Sequence, residues 1–306
     1  MNIGTVKLII KKPSSLIAML GEHGLLNWMP DETYLSILSR GSLGYKINLE
    51  QPKTFNEKLQ WLKLHDRNPL YTQLVDKYEV RKFVAEKIGE EHLIPLLGGP
   101  WDSVDEIDFD ALPEQFVLKT THDCGGIVIC TDKGSFDREA AKAKLAKHLK
   151  RKYYCGNREW PYKNVKPRII AEQYMVDDFG KGMRDYKIFC FNGEARFMYI
   201  ASDRNEENIE TKFDFYDMDF RHLPFTNAHP NAAELQQRPA ELAQMQALAE
   251  KLSAGIPHVR VDLYLVHGKI YFGEMTFYHM SGIFPFDPPE WDEIIGSWLE
   301  LPEPRS

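Results

Sequence analysis

Between Pro257 and Thr276 the apolar residues alternate, Val259, Val261, Leu263 and Leu265 and then Ile270 and Phe272, and the two runs are broken by His267-Gly268. Alternation of period two reads as strand, and a two-residue break ending in glycine reads as a hairpin turn. The segment therefore commits the chain to an antiparallel sheet. It also carries Arg260, Asp262 and Glu274, and pairing about the turn brings the two carboxylates close together. Adjacent carboxylates repel, so they usually hold a divalent cation or share a proton. Mg2+ takes hard oxygen ligands and keeps some water, so two carboxylates plus phosphates suit it. A surface hairpin with a salt bridge from Arg260 is the plainer reading of the same residues.

A second cluster lies upstream in Phe116-Val-Leu-Lys119-Thr-Thr-His122-Asp-Cys-Gly125-Gly126-Ile-Val-Ile-Cys130, which reads strand, loop, strand. Lys119 ends an apolar run beside glycines that let backbone N–H groups approach an anion. An ordinary hairpin turn with a solvated lysine is the competing reading. A third cluster comprises Arg168-Ile-Ile-Ala-Glu172-Gln173-Tyr-Met175 and Asp185-Tyr-Lys187-Ile-Phe-Cys-Phe191, joined by a polar connection with Asp177, Asp178, Gly180 and Gly182. A strand running into a linker offers backbone groups to an adenine edge. Asp185 is then placed for ribose hydroxyls and Lys187 for phosphate. The plain alternative is an antiparallel sheet closed by a turn at Asn192-Gly193.

In that order, these clusters resemble the ATP-grasp enzymes and, more narrowly, the TupA-like ATP-grasp family, named after teichuronopeptide biosynthesis. The resemblance runs from about Pro30 to Pro302 and includes Lys53-Thr-Phe-Asn-Glu-Lys-Leu-Gln-Trp61, Ile107-Asp-Phe-Asp-Ala-Leu-Pro113, Ser202-Asp-Arg204 and Tyr271-Phe-Gly-Glu-Met-Thr-Phe-Tyr278. It implies an α+β ATP-grasp fold, two subdomains clasping ATP, in which Lys119 and Lys77 contact the phosphates and Glu172, Gln173 and Met175 form the adenine hinge. It places Asp185 near the ribose, Lys187 near the phosphate chain, and Gly125 and Gly126 in the phosphate loop. Asp262 and Glu274 hold Mg2+, and Arg260 stabilises the transferred phosphoryl group. Thr276 stands where such enzymes usually have asparagine as a third metal ligand. The implied reaction is phosphorylation of a carboxylate by ATP, then attack by an amine on the acyl phosphate to give an amide and ADP. The family context adds surface or capsular polysaccharide assembly, with an amino acid joined to a glycan carboxylate. Arg196 and Arg204 are candidate partners of that carboxylate.

The chain has 306 residues, 43% of them hydrophobic, enough for a sizeable core. A net charge of −7, from 45 acids against 38 bases, argues against a nucleic-acid partner. Lys142 to Lys152 is basic, but with Leu145 and Leu149 it reads as one solvated helix face. Cys124, Cys130, Cys155 and Cys190 show no metal spacing and fit a reducing cytoplasm. No stretch approaches the roughly 20 apolar residues of a membrane helix. Leu16 to Trp28 reads as a helical arm packed on the body, with peripheral contact at the inner face of a membrane as the alternative. Residues 1–90 read as a helical region, with a capping box at Thr54 and Glu57. Residues 91–306 read as the catalytic domain, with subdomains at about 115–172 and 173–302 and a last helix from Ala240 to Ala254.

Two rival functions carry their own signals. Tyr216-Asp217-Met-Asp219 holds the Asp-x-Asp of glycosyltransferases, which a turn between strands explains equally well. A nucleotide-binding protein without turnover is the other rival.

Overall fold

A computed structural model describes residues 13–177, 184–202 and 210–304. The chain opens with helices α1 (Pro13–Glu22), α2 (Asp31–Leu43), α3 (Phe55–His65), α4 (Leu70–Val75) and α5 (Val80–Ile88). The capping box at the start of α3 forms: Glu57 N–H donates to Thr54 Oγ1 at 3.2 Å, and Thr54 N–H donates to Glu57 Oε2 at 3.2 Å. That pair satisfies two of the donors a helix start leaves open. Tyr34, Leu35 and Leu38 of α2 form a small buried cluster with Ile17 and Ala18 of α1 packed against it, whereas the later helices build no core of their own. Phe55, Leu59, Leu74, Val80 and Val84 join the buried cluster of the larger sheet described below.

Strands β1 (Leu96–Trp101), β2 (Phe116–Thr120), β3 (Ile127–Cys130) and β4 (Ile169–Gln173) form an antiparallel sheet in the order β1-β4-β2-β3. Between β3 and β4 lie α6 (Arg138–Leu149) and the single turn α7 (Tyr154–Asn157). Leu145 of α6 packs into the cluster that holds Phe116, Leu118, Ile169 and Ala171, so α6 covers one face of this sheet.

The larger sheet comprises β5 (Asp185–Phe191), β6 (Glu194–Ser202), β7 (Lys212–Asp217), then, beyond a short β8 (Thr226–Asn227) and α8 (Leu242–Ser253), β9 (His258–Val266) and β10 (Lys269–Thr276). Its order is β10-β9-β5-β6-β7, antiparallel throughout. β8 pairs with β11 (Phe286–Asp287), and α9 (Glu290–Trp298) follows. α8 is therefore not the last helix. α9 escaped the periodic pattern because it has only nine residues, with two prolines just before it.

Both expected hairpins form. Asn192 and Gly193 have φ of 52° and 85°, and His267 and Gly268 have 50° and 72°. Two positive φ values in a two-residue loop match the twist of the flanking strands, which is why the second position is glycine in each. The alternation in β9 then sorts its faces. Val259, Val261 and Leu263 are buried in the same cluster as Leu242, Met245, Ala249 and Leu252 of α8, leaving Arg260 and Asp262 on the opposite face.

Candidate active site

The register of the last hairpin decides where its acids point. Phe272 pairs with Leu263, but Glu274 pairs with Asp262, so Gly273 is an extra residue in β10. Without this bulge Glu274 would oppose Val261 and turn to the α8 face; with it, Glu274 stands beside Asp262. A side chain at residue 273 would meet the Tyr264 ring at 2.9 Å and Asp262 O at 3.0 Å, which explains the glycine. On the other side of β9, Lys187 opposes Asp262 and Asp185 opposes Tyr264.

Asp262 is fully buried, and both its oxygens are taken. Arg260 donates from Nε to Oδ1 at 2.6 Å and from Nη2 to Oδ2 at 2.8 Å, and Lys187 Nζ donates to Oδ2. Burial pushes this carboxyl up, but Arg260 and Lys187 outweigh it and hold its pKa at about 2. Lys187 also lies 3.5 Å from Asp185. Arg260 Nη2 reaches Thr276 Oγ1 at 3.0 Å and Glu274 Oε1 at 3.4 Å. Its Nη1 lies 2.9 Å from His279 Nδ1. A guanidinium only donates, so His279 accepts at Nδ1 and carries its proton at Nε2, 3.0 Å from Asn227 Oδ1. Burial, with Arg260 adding to it, keeps His279 well below its ordinary pKa and therefore neutral.

The smaller sheet supplies the facing wall. Lys119 Nζ donates to Glu172 Oε2 at 2.7 Å, and Arg81 Nη1 donates to Glu172 Oε1 at 3.1 Å. Lys77 lies in the turn before α5, where its N–H donates to Thr121 O and its Nζ to Asp123 O. Lys77, Arg81, Lys119, Glu172, Tyr264 and Glu274 line one cleft, open to solvent.

The glycine loop at the mouth of this cleft is tied down at several points. Gly125 has φ of +90°, and a Cβ on Gly126 would overlap Thr120 Oγ1 at 1.8 Å. Asp123 accepts from Thr120 Oγ1 and contacts His148 Nδ1 of α6, while Arg151 donates to Cys124 O at 2.9 Å. Among the described residues, the N–H groups of residues 122–126 donate to no protein acceptor. Gln173 is exposed at the end of β4, and Met175 is half-buried just beyond it.

Two expected features lie apart from this cleft, and a third falls outside the described residues. Arg196 falls at a bulge in β6, exposed and paired with Glu194 at 2.8 Å, so it is not brought to the cluster. Arg204, like Asp178, Gly180 and Gly182, lies outside the described residues. Asp217 and Asp219 close a turn and face Arg221, at 3.7 and 3.1 Å.

The family model described as TupA-like ATPgrasp matches residues 57–300. The chain belongs to the TupA-like ATP-grasp family. Among solved structures, this TupA-like chain is similar to D-alanyl-alanine synthetase A from Vibrio cholerae O1 biovar eltor, at 13% identity over 79% of this chain and 62% of that one, with a TM-score of 0.42. It is also similar to N5-carboxyaminoimidazole synthase from Aspergillus clavatus, at 15% identity over 68% and 46%, TM-score 0.41. A third is D-alanine–D-alanine ligase from Bacillus anthracis complexed with ATP, at 12% identity over 72% and 55%, TM-score 0.39. The chain spans about half the length of the Aspergillus clavatus and Bacillus anthracis structures, 46% and 55%. No curated protein matches.

The oxygen donors of this TupA-like chain fit a hard cation in one arrangement. Glu274 keeps 44% of its side chain exposed in the cleft wall, with Thr276 Oγ1 at 3.3 Å. Asp262 is spoken for by two cations. No group of three His, Cys, Asp or Glu residues forms a metal cluster among the described residues. A Mg2+ held by Glu274 and Thr276 with phosphate and water oxygens matches these donors, with Asp262 orienting Arg260 and Lys187 behind them. His279 and Asn227, which fix Arg260, had no signal in the sequence: a lone histidine and a lone asparagine in strand-and-loop surroundings match no ligand spacing.

Proposed function

We propose that the chain is an ATP- and Mg2+-dependent carboxylate–amine ligase, ADP-forming, that joins an amino acid to a carboxylate of a surface or capsular polysaccharide. The observation that carries the reading is the cleft itself. Lys77 and Lys119 stand on one wall, Arg260 and Lys187 lie by the other, and Glu274 points between them. Phosphoryl transfer asks for positioning and charge neutralisation rather than for a protein nucleophile, and that is the set of groups present. The four-stranded and five-stranded sheets are the two halves that clasp the nucleotide.

In this reading the adenine lies along Glu172, Gln173 and Met175, the ribose near Asp185, and the phosphates between Lys77, Lys119 and the N–H groups of the glycine loop. Glu274 and Thr276 would hold Mg2+, which would supply positive charge against the phosphate oxygens. Lys119 is held in place by Glu172 until phosphate takes over as its partner. A carboxylate oxygen of the substrate attacks the γ-phosphorus and the bond to ADP breaks. Arg260, locked by Asp262 and His279, faces the charge that develops. The amine nitrogen then attacks the acyl carbon, phosphate leaves, and the nitrogen gives up a proton as the amide forms. The protein works in the cytoplasm, at the inner face of the membrane where glycan precursors are assembled. No helix among the described residues is long and apolar enough to cross a membrane.

Substitution tests this directly. Glu274→Gln should abolish ATP-dependent coupling of an amino acid to an acidic glycan, and Asp217→Asn should spare it. Loss in Asp217→Asn with activity retained in Glu274→Gln would favour a glycosyltransferase instead.

A further inference from the structure

Arg81 lines the cleft, yet no step of the proposed reaction uses it. It sits in the first turn of α5, whose Val80 and Val84 are buried in the core of the larger sheet. Its guanidinium reaches the smaller sheet. Nη1 donates to Glu172 Oε1 at the end of β4 at 3.1 Å, and Nη2 donates to Ile94 O at 2.9 Å. The next residue, Pro95, accepts at its carbonyl from the Gln173 N–H at 3.0 Å. One side chain therefore braces the end of β4 twice, through the Glu172 carboxylate and through the Ile94-Pro95 segment that holds the Gln173 backbone. A planar fork serves two acceptors in one fixed geometry, whereas a lysine ammonium on its flexible stem acts as a point charge.

Glu172 is shared between two cations. On the sheet it stands opposite Val117, with Lys119 its diagonal neighbour on the same face, and Lys119 Nζ donates to Glu172 Oε2 at 2.7 Å. Arg81 thus holds one carboxylate oxygen and Lys119 the other. When Lys119 turns to phosphate, Oε2 loses its partner while Oε1 keeps Arg81, so the carboxylate stays where it is with one oxygen open. An ionised carboxylate only accepts hydrogen bonds. Adenine offers a donor there, its exocyclic amine, at the position where guanine carries the acceptor O6. A fixed acceptor that pairs with one base and repels the other discriminates between them.

We infer that Arg81 is a positioning residue for nucleotide selection: by fixing Glu172 and the Ile94-Pro95 segment, it makes the cleft choose an adenine nucleotide over a guanine nucleotide. This deepens the proposed function and rests on it. An ion pair that merely tied α5 to the smaller sheet would affect every nucleotide alike, so base selectivity separates the two roles.

The test is calorimetric titration of the full chain, in the presence of Mg2+, with a non-hydrolysable ATP analogue, the matching GTP analogue and inorganic tripolyphosphate. The wild type should bind the ATP analogue more tightly than the GTP analogue. Arg81→Met should weaken the ATP analogue about tenfold or more, near 1.4 kcal/mol, and the other two ligands much less, so that the preference for adenine collapses. Arg81→Lys, which keeps a charge against Glu172 and gives up the fork to Ile94, should lie between. An unchanged preference overturns the role, and so do equal losses for all three ligands, which would assign Arg81 to the phosphates or to the fold. A wild type that binds both nucleotides equally overturns it too and leaves the proposed function standing. Failure of the wild type to bind the ATP analogue takes down both. Should Arg81→Met not fold, Arg81→Lys supplies the reading: a reduced preference is expected, and the wild-type preference is the contrary result.

Discussion

At the scale of single residues, Asp262 anchors the site, because one carboxylate neutralises two buried cations. Asp262→Asn leaves Arg260 and Lys187 only their longer contacts to Glu274 and Asp185, and breaking a buried ion pair from one side costs about 3–5 kcal/mol. The same pairing has a pH signature. The folded carboxyl titrates at about 2, below its value of 3.8 in an unfolded chain, so the stability it contributes is present above 3.8 and is lost as pH falls through 2. Urea unfolding across that window should give a shallower acid dependence in Asp262→Asn than in the wild type; equal slopes would contradict the assignment. Arg260, Asp262, Glu274 and Lys119 were legible in the sequence because each is a charge set into an apolar, alternating run. His279 and Asn227 were not, since each becomes meaningful only through a partner distant in the chain.

At the scale of elements, the bulge at Gly273 converts a plain hairpin into half of a site. Gly273→Ala places a methyl against Tyr264 and the Asp262 carbonyl, and overpacking of this kind costs about 1–3 kcal/mol. Because relief means restoring the regular register or shifting β10, coupling activity should fall further than stability does. A variant that melts lower yet turns over normally would show that the bulge does not set Glu274. The glycine loop makes a separate prediction. Asp123 ties Thr120 and His148 together and its carbonyl holds Lys77, so Asp123→Asn should raise KM for ATP with kcat nearly kept. A loss confined to kcat would argue against a loop-positioning role. Period-two alternation and the two glycine turns made the hairpins visible beforehand. The bulge was invisible, because an inserted residue can be recognised only against its partner strand.

At the scale of the whole molecule, helices α3 to α5 and the larger sheet share one core, and that core contains ionisable groups kept neutral. His258 packs against Phe55, Phe191 and Phe189, and burial lowers its pKa to about 3 from the ordinary 6.5. Between those values the unfolded chain takes up a proton that the native state refuses, so stability falls as pH drops from 6.5 toward 3. Thermal melting should show that fall, less steep in His258→Phe; an unchanged slope would exclude His258 as its source. The fold class was legible because strands, glycine turns and capping signals agreed along the chain. The sharing of one core by α3, α4, α5 and the larger sheet was not, since contacts across that distance leave no local pattern. The central claim is that the cleft between the sheets takes a nucleotide triphosphate. Calorimetric titration with a non-hydrolysable ATP analogue and Mg2+ tests it most directly: binding by the wild type, weakened about tenfold or more in Lys119→Ala and Glu274→Gln, is predicted. Absence of ATP-analogue binding, or binding of a UDP-sugar that Asp217→Asn abolishes, would contradict it.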